Sequence, residues 1–107
     1  MPEEEKLFKF IAGKFESEYR NVSQGPMMSC PGIRYKNKVF AFYYKDKMVF
    51  KLGKDFNPEQ YGVTEYSLLN PFKNKAPMKA WFEIPFKESA NWEKLTLFAL
   101  NQIKKEV

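Results

Sequence analysis

Histidine is absent from this chain of 107 residues, and cysteine occurs once, at Cys30. Without an imidazole the sequence cannot build a Ser-His-Asp or Cys-His nucleophile, a histidine-bearing zinc or iron site, or a haem with a proximal histidine. A single thiol excludes an intramolecular disulfide and cysteine-based zinc or iron–sulfur ligation. The sequence therefore predicts no metal and no cofactor.

Long apolar runs and a basic leader are also missing. No apolar stretch approaches the roughly 18 residues that a membrane span requires. The first residues, Met1 to Glu5, are acidic where a secretory leader would be basic. We therefore expect a cytoplasmic protein of bacterial type with no membrane contact. The length is typical of one domain, which predicts a single domain over residues 1–107.

Hydrophobic spacing in the first half predicts a helix followed by a sheet. Apolar residues at helical spacing from Leu7 to Phe15 predict an amphipathic helix over residues 2–19. Glycines and prolines between residues 23 and 32 predict a loop. From Ile33 the apolar period changes to two, which predicts a three-stranded antiparallel meander over 33–36, 39–44 and 47–52. Asn37 suits a turn that needs a positive φ.

The second half predicts one more strand and a final helix. Asn57 and Pro58 favour a short helix that ends near Gly62. The dipeptides Asn70-Pro71 and Ala76-Pro77 indicate loop. Residues 79–84 predict a strand, and Ser89 is the predicted N-cap of a helix that begins near Trp92. The fold class is thus α+β, with two layers. The antiparallel sheet is the meander plus a later strand, and the N- and C-terminal helices pack on it.

Positive charge is concentrated on the predicted meander. Residues 34–54 carry seven basic side chains and one acidic side chain, whereas the rest of the chain sums to −1. If the helices cover one sheet face, alternation places much of this charge on the other face, where rings could stack on bases and cations could meet phosphates. The same lysines also suit an ordinary solvated sheet. The candidate ligand or nucleic-acid surface comprises Arg34, Lys36, Tyr43, Lys47, Lys51, Lys79 and Trp81.

Only two residues have any context for catalysis. Cys30 lies near Arg34, which would favour a thiolate, but no base accompanies it. Glu83 would need a second carboxylate or a metal to act in acid/base chemistry, and an ion pair with a meander lysine is favoured instead. The sequence therefore predicts no catalytic residue and no enzyme.

Two motifs resemble the TfoX N-terminal domain family. The run Met27-Met28-Ser29-Cys30-Pro31-Gly32-Ile33 resembles that family's Met-Phe-Gly-Gly-x-Gly loop, and Met78-Lys79-Ala80-Trp81-Phe82-Glu83-Ile84-Pro85 matches its Met-x-x-Trp-x-x-x-Pro signature. Ser29 and Cys30 replace the glycine doublet, and Asn37 replaces a hairpin glycine. The loop residues that carry the resemblance are Met27, Met28, Ser29, Cys30 and Gly32.

The resemblance implies an α+β fold similar to YjbR and to type III secretion chaperones. It also implies a stand-alone N-terminal domain without established catalytic residues. Three hypotheses follow. The first is a non-enzymatic interaction or regulatory module that binds a protein partner or forms a homodimer. The alternative is nucleic-acid binding through the basic sheet face around Trp81. An enzyme that uses Cys30 or Glu83 ranks third.

Overall fold

The computed structural model describes residues 2–27, 29–69 and 78–106, apart from the side chains of Leu69, Met78 and Lys79. Two α-helices and a six-stranded antiparallel sheet make up the fold, which confirms the predicted α+β class. The predicted loop at 70–77 lies outside the described residues. The elements are α1 (Glu3–Glu18), β1 (Val22–Met27), β2 (Cys30–Tyr35), β3 (Lys38–Tyr44), β4 (Lys47–Lys51), β5 (Ser67–Leu69), β6 (Met78–Pro85) and α2 (Trp92–Glu106).

Helix α1 forms where the sequence predicts it. Three glutamates occupy its first turn, where the helix dipole favours negative charge, and the Lys6 amide donates to the Pro2 carbonyl oxygen at 3.0 Å. Its buried face presents Phe8, Ile11, Ala12 and Phe15 to the sheet. The periodicity of these residues therefore sets which side of α1 faces the core.

Two tight turns join the strands of the meander. Lys36 and Asn37 connect β2 to β3, and Lys45 and Asp46 connect β3 to β4. All four residues have positive φ, between 47° and 71°. Positive φ at both central residues is the geometry that matches the right-handed twist of a two-residue hairpin. The predicted left-handed conformation of Asn37 is confirmed.

Strand β1 corrects the prediction of a loop over 23–32. This segment forms a hairpin of β1 and β2, although it contains two prolines and two glycines. The order of the strands, β1-β2-β3-β4-β6-β5, places β1 at an edge of the sheet. Pro26 is tolerated there because an edge strand leaves half of its N–H groups without a partner strand. Composition alone therefore indicated a loop where the chain forms an edge hairpin.

The connection from β4 to β6 contains a short 3-10 helix and the second edge strand. The 3-10 helix spans Pro58–Tyr61, and the Asn57 side chain accepts from the Glu59 amide at 3.1 Å, as the cap prediction requires. Strand β5 was not predicted. Strand β6 extends the predicted strand by one residue at each end, and β5 pairs with it.

Ser89 does not cap α2, which is a second correction. Residues 86–91 form a 3-10 helix, and α2 begins at Trp92. Glu88 has non-helical backbone angles, and its carboxylate accepts from the amides of Thr64 and Glu65, both at 3.0 Å. Ser89 therefore lies inside a 3-10 helix that precedes α2.

The main core lies between the helices and one face of the sheet. Trp92 is fully buried, and its indole N–H donates to the Ile84 carbonyl oxygen at 3.1 Å, which fixes the start of α2 against the end of β6. Phe40, Met48 and Phe50 supply the sheet side of this core. In the described ranges, no helix is both long enough and apolar enough to cross a membrane.

Candidate functional site

The sheet face opposite the helices, called the open face here, carries its own apolar cluster. Phe42 and Val49 are fully buried on this face, and Trp81 is 9 % exposed. The Phe42 and Trp81 ring centroids lie 5.5 Å apart. Described residues that pack against the three are Met27, Cys30, Val39, Tyr44 and Ala80. Trp81 therefore has little ring surface left for stacking on a base.

Tyr43 lies on the helical side of the sheet, not beside Trp81. Its ring centroid is 5.7 Å from that of Phe8 in α1, and burial raises the pKa of its hydroxyl. The cause is a β-bulge: the β2–β3 register shifts between Ile33 and Arg34. The extra residue reverses the alternation within β3, so Phe42 and Tyr44 take the open face. Strict alternation, the basis of the prediction, cannot reveal such a bulge.

Two of the predicted cations are paired with carboxylates. Lys47 Nζ lies 3.5 Å from the Glu83 carboxylate, which confirms the predicted pairing of Glu83 with a meander lysine. Lys51 Nζ lies 3.0 Å from the Glu106 carboxylate of α2. Lys36 belongs to the β2–β3 turn, at the opposite end of β3 from Lys45. The side chain of Lys79 lies outside the described residues.

Arg34 lies on the open face, across strands β1 and β2. Its Nε donates to the Ser23 hydroxyl at 3.2 Å. A Cβ built on Gly25 would come within 2.6 Å of the guanidinium carbon, so the guanidinium covers that glycine. The arginine thus packs across β1 and β2 as a structural contact.

The segment that resembles the TfoX-family loop belongs to the β1–β2 hairpin. Ser29 has a φ of 70°, so it occupies the left-handed conformation that a glycine of the family motif would adopt readily. Gly32 faces Gly25 across the hairpin, and a Cβ on Gly32 would lie 2.8 Å from the Gly25 carbonyl oxygen. Met27 and Cys30 pack on the open-face cluster. Met28 lies outside the described residues.

The ionisable groups that the sequence singles out are held by local contacts. No group of three or more Cys, Asp and Glu side chains there could hold a metal ion. Glu83 is engaged with Lys47, and Cys30 is half-buried as a free thiol. Glu88 has a lowered pKa because it accepts backbone hydrogen bonds from Glu65 and Thr64. This carboxylate serves to hold one segment to another.

A cavity of about 460 Å³ lies between α2 and the segment after β4. Three rings form one wall in mutual contact: Phe56 stacks on Tyr61 at 5.0 Å, and Phe98 lies 4.8 Å from Phe56. The Asn57 side chain at its rim is already used as the cap of the 3-10 helix. The rings cover the end of the core, and nothing in their arrangement selects a ligand.

Helix α1 presents a surface that the sequence reasoning missed. Phe10 is 62 % exposed, more than any other large apolar side chain in the described ranges. It lines a depression of about 560 Å³ with Gly13, Ser17 and flanking charged residues. A Cβ built on Gly13 would meet no atom within 4 Å. The available signals were a phenylalanine out of phase with the buried positions and a glycine in the middle of a helix.

The depression continues into a groove between the two helices. Lys14 and Glu18 line both, and Leu97 of α2, 38 % exposed, lies in the groove. Lys14 Nζ lies 2.7 Å from the Glu93 carboxylate, and this hydrogen bond raises the lysine pKa. The helical side therefore presents apolar side chains framed by charges of both signs.

Comparison with known proteins gives no assignment: no family model matches the chain, and no curated protein or solved structure is significantly similar to it.

Proposed function

We propose that this protein is a non-enzymatic interaction module of the cytoplasm, similar to the TfoX N-terminal domain, and that it acts through the outward face of α1. The observation that carries the proposal is the exposure of Phe10 beside an unfilled depression. Burying a phenylalanine side chain stabilises a complex by roughly 1.5 to 3 kcal/mol, so an exposed ring beside a shallow depression favours a protein contact.

The two sides of the sheet support this choice over nucleic-acid binding. On the open face, the rings of Phe42 and Trp81 are buried, and Lys47 and Arg34 are engaged with neighbouring side chains. On the helical side, an apolar ring is exposed where it can be buried by a partner. The nucleic-acid hypothesis therefore depends on net charge, whereas the interaction hypothesis depends on a specific surface.

The test is photo-crosslinking in cells from a photoreactive amino acid at position 10. We expect a discrete protein adduct, of the chain with itself or with another protein, because the depression around Phe10 would be covered. The matched control places the same amino acid at Phe86, which is 37 % exposed but does not line the depression. Adducts that are absent at position 10, or equal at both positions, would overturn the proposal.

A further inference from the structure

Tyr35, at the end of β2, is surrounded by lysines from the β2–β3 turn, from β3 and from α2. Lys36 Nζ lies 5.6 Å from the centroid of the Tyr35 ring, and Lys104 Nζ lies 5.9 Å from it. Lys38 is the cross-strand neighbour of Tyr35, so the two side chains lie on the same face of the sheet. The fold therefore gathers three lysines around one ring, although α2 is far from the turn in the sequence.

The end of α1 extends this group of cations. The Lys36 amide donates to the Asn21 carbonyl oxygen at 3.0 Å, which holds the β2–β3 turn against the segment after α1. Arg20 is exposed and directly precedes Asn21. Lys104 Nζ also lies 5.8 Å from the ring centroid of Tyr19, so α2 contacts the same segment. We call this group of four cations the basic corner: Arg20, Lys36, Lys38 and Lys104.

The basic corner is exposed to solvent. All four residues are exposed, and within the described ranges none of them forms a salt bridge. Nearby carboxylates are engaged elsewhere. Glu16 accepts from the Gln24 side chain at 3.1 Å, Glu106 accepts from Lys51 at 3.0 Å, and Glu18 lines the groove between the helices. The described part of the chain therefore leaves the positive charge of this corner without a counter-charge.

The two hairpin turns of the meander are alike in backbone but not in surrounding charge. Lys45 occupies the same turn position as Lys36, and its Nζ lies 5.3 Å from the ring centroid of the preceding residue, Tyr44. The φ angles of the two lysines are 47° and 48°. Around the second turn, however, burial and then the charges of two α1 glutamates and of Asp46 raise the pKa of Tyr43. Carboxylates thus accompany Lys45, whereas cations accompany Lys36.

The composition of the basic corner favours phosphate as its ligand. A lysine ammonium group binds phosphate as a point charge, whereas recognition of a carboxylate is strongest with the planar fork of arginine. Three of the four cations are lysines, and a nucleic-acid strand presents a regular series of negative phosphates. We propose that the basic corner binds the phosphate backbone of nucleic acid without reading its bases. This function is additional to the contact proposed for α1, and neither depends on the other.

Fluorescence anisotropy of a labelled single-stranded oligothymidylate of about 12 nucleotides tests the proposal. Four phosphate contacts predict a slope of about −3 when the logarithm of the binding constant is plotted against the logarithm of the salt concentration. Binding should therefore be about fiftyfold weaker at about 200 mM than at about 50 mM salt. A chain that does not bind the oligonucleotide even at about 20 mM salt would overturn the proposal.

Lys36→Gln and Lys45→Gln form a matched pair, because each removes one positive charge from an exposed turn of the same geometry. At about 50 mM salt, Lys36→Gln should weaken binding by about five- to tenfold and reduce the salt slope by about 0.7, since one phosphate contact is lost. Lys45→Gln should change the binding constant by less than about twofold, because it lies outside the basic corner. Equal losses in the two variants would show that net charge alone drives binding, and would overturn the site.

Lys104→Gln tests whether α2 belongs to the same site. The loss should match that of Lys36→Gln, since both ammonium groups lie beside Tyr35. Circular dichroism checks that the exposed substitution leaves the fold intact. A Lys104→Gln variant that binds as tightly as the wild type would overturn the joint surface of turn and helix.

Poly-glutamate with the same number of charges separates nucleic acid from an acidic protein as the partner. We expect it to displace the labelled oligonucleotide at least about tenfold less effectively than unlabelled oligothymidylate does, because lysines suit phosphate better than carboxylate. Equal displacement would assign the basic corner to an acidic protein and overturn the nucleic-acid partner. None of these outcomes affects cross-linking from position 10, which tests the proposed function separately.

Discussion

The two sides of the sheet differ in which apolar side chains they expose, and the side that the sequence favours as a binding surface is the more buried one. The open face carries lysines and the tryptophan that suggest a binding surface, yet its apolar cluster of Phe42, Val49 and Trp81 is buried. The helical side shows ordinary amphipathic spacing, yet it exposes Phe10 and leaves room at Gly13. Residue type indicates what a surface could bind, but exposure decides which surface is available.

The two sides also differ in how their surface side chains are engaged within the fold. On the open face, Arg34 bonds to Ser23 and Lys47 lies beside Glu83. On α1, the depression contains a glycine that destabilises the helix and gains nothing from the fold. An unfavourable residue without an internal benefit is more informative about function than a favourable residue in a satisfied environment.

Truncating the open-face core should give the largest effect. Phe42→Ala is expected to lower the free energy of unfolding by about 3 to 4 kcal/mol, because it removes a fully buried ring and leaves a cavity. Urea denaturation measures this change, and Phe50→Ala on the helical side is the matched control. A loss below about 0.5 kcal/mol would show that Phe42 lies on a free binding surface, and the contrast between the faces would collapse.

Periodic segments of the fold could be predicted from sequence, because each depends on local spacing. Helix α1, the three strands of the meander and the cap at Asn57 belong to this group. Strand β1 could not be predicted, because its proline, Pro26, is tolerated only by the position of β1 at the sheet edge. The sheet face on which Tyr43 lies depends on a bulge in the pairing of β3 with β2. The apolar spacing within β3 alone does not predict how the two strands pair.

The candidate site was missed for a related reason. The sequence shows Phe10 and Gly13, but a helix of this length contains several residues outside its apolar stripe. Only the packed fold shows that the phenylalanine is exposed and that no neighbour fills the space at the glycine. The pairing of Glu83 was predictable, since alternation places opposite charges on adjacent strands.

Alanine substitutions at two glycines should change the free energy of unfolding in opposite directions. Gly32→Ala is expected to destabilise the fold by about 2 kcal/mol, because its Cβ would lie 2.8 Å from the Gly25 carbonyl oxygen and 3.3 Å from that of Ala41. Gly13→Ala should instead stabilise it by about 0.5 to 1 kcal/mol. Thermal unfolding measures both changes. A destabilising Gly13→Ala would mean that the fold itself needs that glycine.

Acid should act on the segment that leads into α2. The pKa of Glu88 is lowered from its ordinary value of 4.5 by hydrogen bonds from the amides of Glu65 and Thr64. A lowered folded-state pKa means that this contribution is complete above about pH 4.5 and is lost as the pH falls through the folded value. Glu88→Gln should lower stability by about 1 kcal/mol at pH 7, after allowance for solvent screening.

The measurement is urea unfolding of wild type and Glu88→Gln at pH 7 and near pH 3. The difference between the two should shrink at the lower pH, since the contribution of the Glu88 carboxylate is lost as the pH falls towards its lowered folded-state pKa. Glu59→Gln, an exposed glutamate of the other 3-10 helix, is the control. A difference that stays constant with pH would show that Glu88 does not act through its charge.

Nucleic acid should produce the smallest effect, and it tests the open face directly. Titration with a single-stranded oligonucleotide is expected to give weak binding that disappears near 200 mM salt, because only charge drives it. Tryptophan fluorescence should not change, since Trp81 is 9 % exposed and Trp92 is fully buried. Stacking of a base on an aromatic ring contributes about 1 to 3 kcal/mol. If a base stacked on Trp81, the Trp81→Phe variant would therefore bind the oligonucleotide measurably more weakly than the wild type. Saturable quenching of tryptophan fluorescence, together with weaker binding by Trp81→Phe, would show that the open face opens to a ligand. In that case the exposed α1 surface would no longer be the better candidate.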